Sequence, residues 1–220
     1  MAMEKRTRLS PEARRAQLIE LGVEMLATRT LDELSVEDIA LQAGISRGLL
    51  FHYFASKQEF HIEVARAAAA ELLARTEPDM SLAPVEALRK SLQGFIDYVE
   101  ENPDSYKSLV RGAASGDAEM RTIFTQTRAT LGQRVIDVVG RMGFQLGARA
   151  ELAVQGWVAL AEECTIGWLD ARLISRAELQ DMLTKALPAV VLAASDEQVG
   201  PLLSILAADS AIAESVAGRR

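Results

Sequence analysis

Apolar residues recur along this chain three and four positions apart. No stretch alternates Val, Ile or Thr with polar residues at the two-residue period of a half-buried strand. The pattern predicts an all-α protein of about nine helices. Ser10-Pro11 places a capping hydroxyl before a proline at the first helical position, opening a helix to about residue 29 with an apolar stripe of Leu18, Leu21, Met25 and Leu26. Ser35 caps a second helix, and Glu37 and Asp38 complement the positive end of its dipole. Gly44 ends that helix, where a left-handed backbone suits glycine. Ser46 caps a short third helix to about Phe54, and Ser56 caps a fourth over about 57–77.

The stretch "EPDMSLAP" at 77–84 breaks the periodicity and marks a domain boundary. Helices are predicted beyond it over about 84–101, 104–113, 117–142, 148–172 and 175–194, with Pro188 as a kink in the last. Residues 196–220 form either a further helix from Pro201 or a loose tail. The expected division is therefore a domain at 1–57, a connecting fourth helix, and a second domain at 78–195.

Composition narrows the class. With 220 residues, 49% apolar and 25% charged, the chain is long enough to bury a sizeable core. No run reaches the roughly 18 apolar residues of a membrane span, and the first residues, "MAMEKRTRLSPEARR", lack the apolar core of a secretion signal. The single Cys164 excludes an internal disulfide, so a cytoplasmic protein without membrane association is expected. Residues 1–57 carry eight Lys/Arg and eight Asp/Glu, so the whole net charge of −7 falls on residues 58–220. The neutral head opens on a basic arm of Lys5, Arg6, Arg8, Arg14 and Arg15.

The second and third helices are short and joined by about three residues around Gly44, the arrangement of a helix-turn-helix. Ile39, Ile45 and Leu50 fill the corner, and Ala40 is small where the two helices cross. The third helix then offers its N-terminal end to the major groove of DNA. Arg47 can bond guanine through two N–H groups, Leu49 can meet a thymine methyl, and Gly48 permits close approach. Ser35, Tyr53 and Lys57 lie at helix ends, where contacts to phosphates set register; Ser46, the cap of the reading helix, is counted with the DNA-binding residues, and His52 is either a DNA contact or a solvated ring.

The run "SVEDIALQAGISRGLLFHYFASKQEF", Ser35 to Phe60, resembles the DNA-binding signature of the TetR family of bacterial transcriptional regulators. That signature has a Ser/Thr cap, D-I-A and A-G-V/I-S. A glycine, two apolar residues, an aromatic, a variable residue and H/Y-F follow, with a lysine opening the fourth helix. Nearly every position fits over about 26 residues. One departure is Phe51, where the family usually carries a tyrosine whose hydroxyl bonds a phosphate; Tyr53 keeps a hydroxyl two residues on.

The resemblance implies a C-terminal domain that dimerises and binds a small molecule, and a regulator, most often a repressor, acting on a near-palindromic operator. The residues offer candidates for each role. Gly156, Leu160, Glu163 and Gly167 share a stripe of the eighth helix, and Leu179, Met182, Leu183, Ala186 and Val190 a stripe of the ninth; these are the expected dimer surface, unless both face one subunit's core. Phe95, Tyr98, Tyr106, Phe124, Arg128, Trp157, Cys164 and Trp168 are the candidate effector contacts among apolar helices, with Arg111 as a further polar group. The competing readings are a TetR-like regulator without an effector, controlled by a protein partner or constitutive, and a helical enzyme built around Cys164 or Glu163. Against an enzyme, His52 and His61 are nine apart, Glu162 and Glu163 do not share a helix face, and no phosphate- or dinucleotide-binding glycine pattern occurs, so no cofactor or metal is expected.

Overall fold

The computed structural model describes residues 10–112, 117–141, 143 and 145–194, with the backbone alone at 108, 109, 111 and 112. Expectations for Lys5, Arg6 and Arg8, for the Arg111 side chain and for residues 196–220 lie outside the described residues. Among the described residues there are nine helices and no strand: α1 (Pro11–Met25), α2 (Val36–Gln42), α3 (Arg47–Tyr53), α4 (Lys57–Arg75), α5 (Pro84–Glu101), α6 (Pro103–Gly112), α7 (Ala118–Arg141), α8 (Ala148–Ala171) and α9 (Arg176–Ala194).

The four starts assigned to serine caps are made by them. Ser10, Ser35, Ser46 and Ser56 accept the backbone N–H groups of Ala13, Asp38, Leu49 and Glu59 at 3.0–3.2 Å. Helix ends shift where side-chain or three-residue bonds intervene. α1 stops at Met25 because Ala27 and Thr28 turn back onto the Glu24 and Met25 carbonyls, tightening the chain into turns. α4 stops at Arg75, where the Thr76 hydroxyl donates to the Leu72 carbonyl at 2.8 Å. α9 runs through Pro188 as one helix.

Packing divides the described residues into two compact units, 10–71 with 102–112 and 117–124, and 72–101 with 125–141, 143 and 145–194. This differs from the break at 78 because the start of α7 packs with the N-terminal helices. Met120 enters their core, Gln58 donates to Asp117, and Arg66 pairs with Glu119.

In the first unit, Leu18, Leu34, Ile39, Leu50, Phe54, Phe60 and Val64 are fully buried. Each such side chain contributes about 1.5–3 kcal/mol through burial. Phe54 meets Phe60 edge to face at 5.0 Å between ring centres. His61 is also buried, with Nε2–H donating to the Leu34 carbonyl at 3.0 Å. Its burial pushes the ring pKa below the ordinary 6.5, against the opposing effect of that hydrogen bond.

In the second unit, α8 and α9 pack along each other and α5 packs on both. Ile96, Val99, Val138, Val154, Leu179 and Leu183 form the interior. Trp157 donates its indole N–H to the Leu183 carbonyl at 2.9 Å, and Trp168 donates to Ile174 at 2.8 Å. Gly94 of α5 lies against the Arg75 carbonyl at the end of α4, so close that no Cβ fits between them.

Candidate DNA interface and effector cavity

Gly44 makes the corner of the helix-turn-helix with φ +65°, a left-handed angle that costs glycine little. The Ile45 N–H bonds the Ala40 carbonyl at 2.9 Å, closing the turn. Ile39 and Leu50 are fully buried in the corner, Ala40 is nearly so, and Ile45 is half-buried. This packing fixes the phase of α3. Leu50 points inward, while Arg47, Gly48, Leu49 and His52 form the exposed side. A Cβ added at Gly48 would meet nothing nearer than the Ser46 Oγ at 4.0 Å, so the face is open there.

Several of the expected DNA-contact residues also have structural work. The hydroxyls of Ser35 and Ser46 serve as caps. Tyr53 is half-buried against the core, its ring at 5.6 Å and edge-on to His52. Lys57 is exposed and reaches the Asp32 carbonyl at 3.4 Å.

Three features of this unit were not foreseen. Arg47 is paired with Glu37 at 2.8 Å, and its guanidinium lies 5.6 Å from the Phe51 ring centre. Arg15, expected in a free basic arm, instead pairs with Glu63 at 3.2 Å and covers the Phe54 ring at 4.9 Å; Arg14 bonds Gln17. Leu41, at the end of α2, is 81% exposed. Spacing could have paired Arg14 with Gln17, three residues apart. Partners from other elements leave no such trace.

The second unit holds a cavity of about 60 Å³. Leu88, Leu92, Phe95, Leu131, Trp157 and Val158 form its apolar wall, and Thr76, Ser91, Arg134 and Glu162 are among the residues that complete the lining. Phe95 and Trp157 were expected there, and the other six candidates do not line it. Tyr98 is buried beneath the Arg75 guanidinium, 5.6 Å from its ring centre. Tyr106 and Phe124 belong to the first unit. Arg128 is not in the lining and pairs through Nε and Nη2 with the buried Glu162, which is. Cys164 and Trp168 lie two and three turns beyond Trp157 on α8. Burial, then the neighbouring Glu163, raises the Cys164 thiol pKa.

The expected dimer stripe divides by burial. Gly156, Leu160, Glu163 and Gly167 of α8 are exposed, as is Met182 of α9, while Ala186 and Val190 are half-buried. Leu152, 73% exposed, extends the same apolar face. Leu179 and Leu183 are a correction. They are 1% and 0% exposed and pack inside their own chain, because α9 turns that side toward α8.

Among the described residues, no helix is long and apolar enough to cross a membrane, and no group of three or more His, Cys, Asp or Glu could hold a metal ion.

Comparison with known proteins agrees with this arrangement. Residues 18–64 match the family described as "Bacterial regulatory proteins, tetR family", and residues 84–190 match "Tetracyclin repressor-like, C-terminal domain". The transcriptional regulator AcuR of Cereibacter sphaeroides is 31% identical over 187 residues, 80% of this chain and 83% of that protein. The transcriptional activator FasR of Mycolicibacterium smegmatis is 23% identical over 74% of this chain and 75% of its own length. The transcriptional repressor KstR2 of Mycobacterium tuberculosis is 37% identical over 92 residues, 41% of this chain and under half, 46%, of that protein. Among solved structures, a TetR-family regulator from Streptomyces coelicolor is 29% identical with a TM-score of 0.76, covering 92% of this chain and all of the other. A TetR-like regulator from Rhodococcus sp. RHA1 is 25% identical at a TM-score of 0.58, covering 82% of this chain and 96% of its own. With the helix-turn-helix motif, both family matches and a relative similar over most of its length in agreement, the chain belongs to the TetR family of bacterial transcriptional regulators.

Proposed function

We propose that this regulator is a homodimeric repressor that binds a near-palindromic operator and is released by a small, largely apolar effector. The observation that carries the DNA half is the exposed side of α3, where Arg47, Gly48 and Leu49 stand beside a capped helix N-terminus with open space at Gly48. Arg47 reads guanine, Leu49 meets a thymine methyl, and Tyr53 and Lys57 hold phosphates. The exposed α8 face of Gly156, Leu160 and Gly167 supports pairing with a second copy. A two-fold pair would set its reading helices about 34–36 Å apart, one turn of DNA. The likeness to KstR2, named as a repressor, supports that sign of regulation.

Release requires two states. The effector must favour the one whose reading helices misfit the operator, since equal affinity for both would shift nothing. The cavity beside Phe95 and Trp157 is the effector site, and α4, a single helix from Lys57 to Arg75, is the connection.

The deciding experiment is competition binding with duplexes from beside the gene. Selective binding that weakens steeply with salt is expected. Equal competition by specific and random duplexes at every salt concentration removes the proposal.

A further inference from the structure

The lining of the effector cavity includes an arginine with an unusual set of partners. Arg134 of α7 forms part of the wall and is 18% exposed. Its Nη1 donates to the Leu73 carbonyl at 2.6 Å and to the Thr76 hydroxyl at 3.0 Å. Its Nη2 pairs with Glu77. All three partners belong to the end of α4 or the two residues after it. That end is also fixed from the other side, because the Arg75 carbonyl rests on Gly94. One arginine thus belongs to the cavity lining and, through its guanidinium, holds the last turn of α4.

The cavity's two charges are not equally open to a ligand. Glu162, with a side chain 4% exposed, already receives Nε and Nη2 of Arg128. An entering amine would find that carboxylate already paired, with two nitrogens of Arg128 on its Oε2. Arg134 has spent its charge on Glu77, which is 65% exposed. An ion pair with so exposed a partner is weak. A ligand carboxylate delivered into the apolar wall is desolvated, and so gains more from the same guanidinium.

We infer that the cavity takes a small molecule with an apolar body and a single carboxylate, which anchors on Arg134 in competition with Glu77 and loosens its hold on the end of α4. This rests on the effector reading above, and adds to it a ligand class and the residue through which binding reaches α4. The body lies against Leu92, Phe95 and Trp157, and the carboxylate points toward Thr76 and Arg134. A neutral ligand of the same shape would fill the wall without disturbing the arginine.

The test uses hexanoate, hexanamide and hexylamine with the full chain, read by calorimetry and by tryptophan fluorescence, since Trp157 is in the wall. Hexanoate is expected to bind at least about tenfold more tightly than either analogue. Arg134→Gln should bring hexanoate down to the amide's level. Glu77→Gln removes the competitor, so it should tighten hexanoate several-fold and leave hexanamide unchanged. The inference is overturned if amine or amide matches the acid, if none of the three binds at millimolar concentration, or if hexanoate binds Arg134→Gln as it binds the parent. Where Arg134→Gln does not fold, the Glu77→Gln variant decides: unchanged hexanoate affinity there also overturns it. DNA binding measured without hexanoate separates the two proposals. A chain that binds its operator selectively but is indifferent to the carboxylate loses only this inference; one that binds hexanoate but no operator loses the DNA reading.

Discussion

Arg47 Nη1 lies 2.8 Å from a Glu37 carboxylate oxygen, joining the first turn of α3 to the first turn of α2. The residue proposed to read a base is thus held by an acid, with its guanidinium near the Phe51 ring. Both partners are more than half exposed, so the pair itself is worth about 0–1 kcal/mol. Arg47→Ala is expected to weaken operator binding by about 1–3 kcal/mol and to relax one base preference. Glu37→Gln should strengthen binding to every duplex, because it frees the arginine and removes a negative charge beside the phosphates. Anisotropy titrations on the two single variants and the double variant check this. A selectivity profile identical to the parent's for Arg47→Ala removes it from base reading.

Phe51 is half-buried against the core where the family usually keeps a tyrosine. Phe51→Tyr should add a phosphate bond and strengthen binding to all sequences by about 0.5–1.5 kcal/mol. Lys57→Ala should do the opposite, weakening all sequences alike and lowering the salt slope by about one. Titrations over a series of salt concentrations on matched and random duplexes read both effects.

Two glycines should behave in opposite ways. At Gly94 a Cβ would collide with the Arg75 carbonyl, a backbone atom that cannot swing aside. Gly94→Ala should therefore cost about 1–3 kcal/mol of stability. Gly48→Ala meets open space, so it should leave the melting temperature nearly unchanged while weakening DNA binding. Thermal unfolding of both variants, beside a DNA titration of Gly48→Ala, distinguishes them.

Burial separates the residues proposed for the dimer from core residues. Leu160 is 39% exposed and Leu183 fully buried. Leu160→Glu should yield a folded monomer, visible by sedimentation. Leu183→Ala should lose about 2–5 kcal/mol of stability through the cavity it leaves. A Leu160→Glu protein that stays dimeric moves the interface elsewhere.

His61 gives the first unit a pH dependence. Burial lowers its folded pKa below 6.5, so below that pH the unfolded chain binds a proton that the folded ring resists. This contribution is constant above about pH 6.5 and becomes destabilising as pH falls toward the folded pKa. Denaturation midpoints between pH 7.5 and 5.5 should fall more for the parent than for His61→Gln, which keeps a donor for the Leu34 carbonyl. Equal slopes would leave His61 without this role.

The sequence by itself determined the features held by near neighbours. Ser35, Ser46 and Ser56 each bond an N–H three residues away, and Gly44 meets its backbone requirement alone. The helices, the corner and the exposed side of α3 were legible for that reason. Periodicity also marked the apolar stripe of α9, but a stripe does not say what covers it. Only the packing of α8 on α9 decided that Leu179 and Leu183 are interior while Met182 is not. The cavity followed the same rule. Arg134 meets Leu73, Thr76 and Glu77 across 57–61 residues of chain. Contacts over such separations depend on how whole helices dock, and no local spacing encodes them.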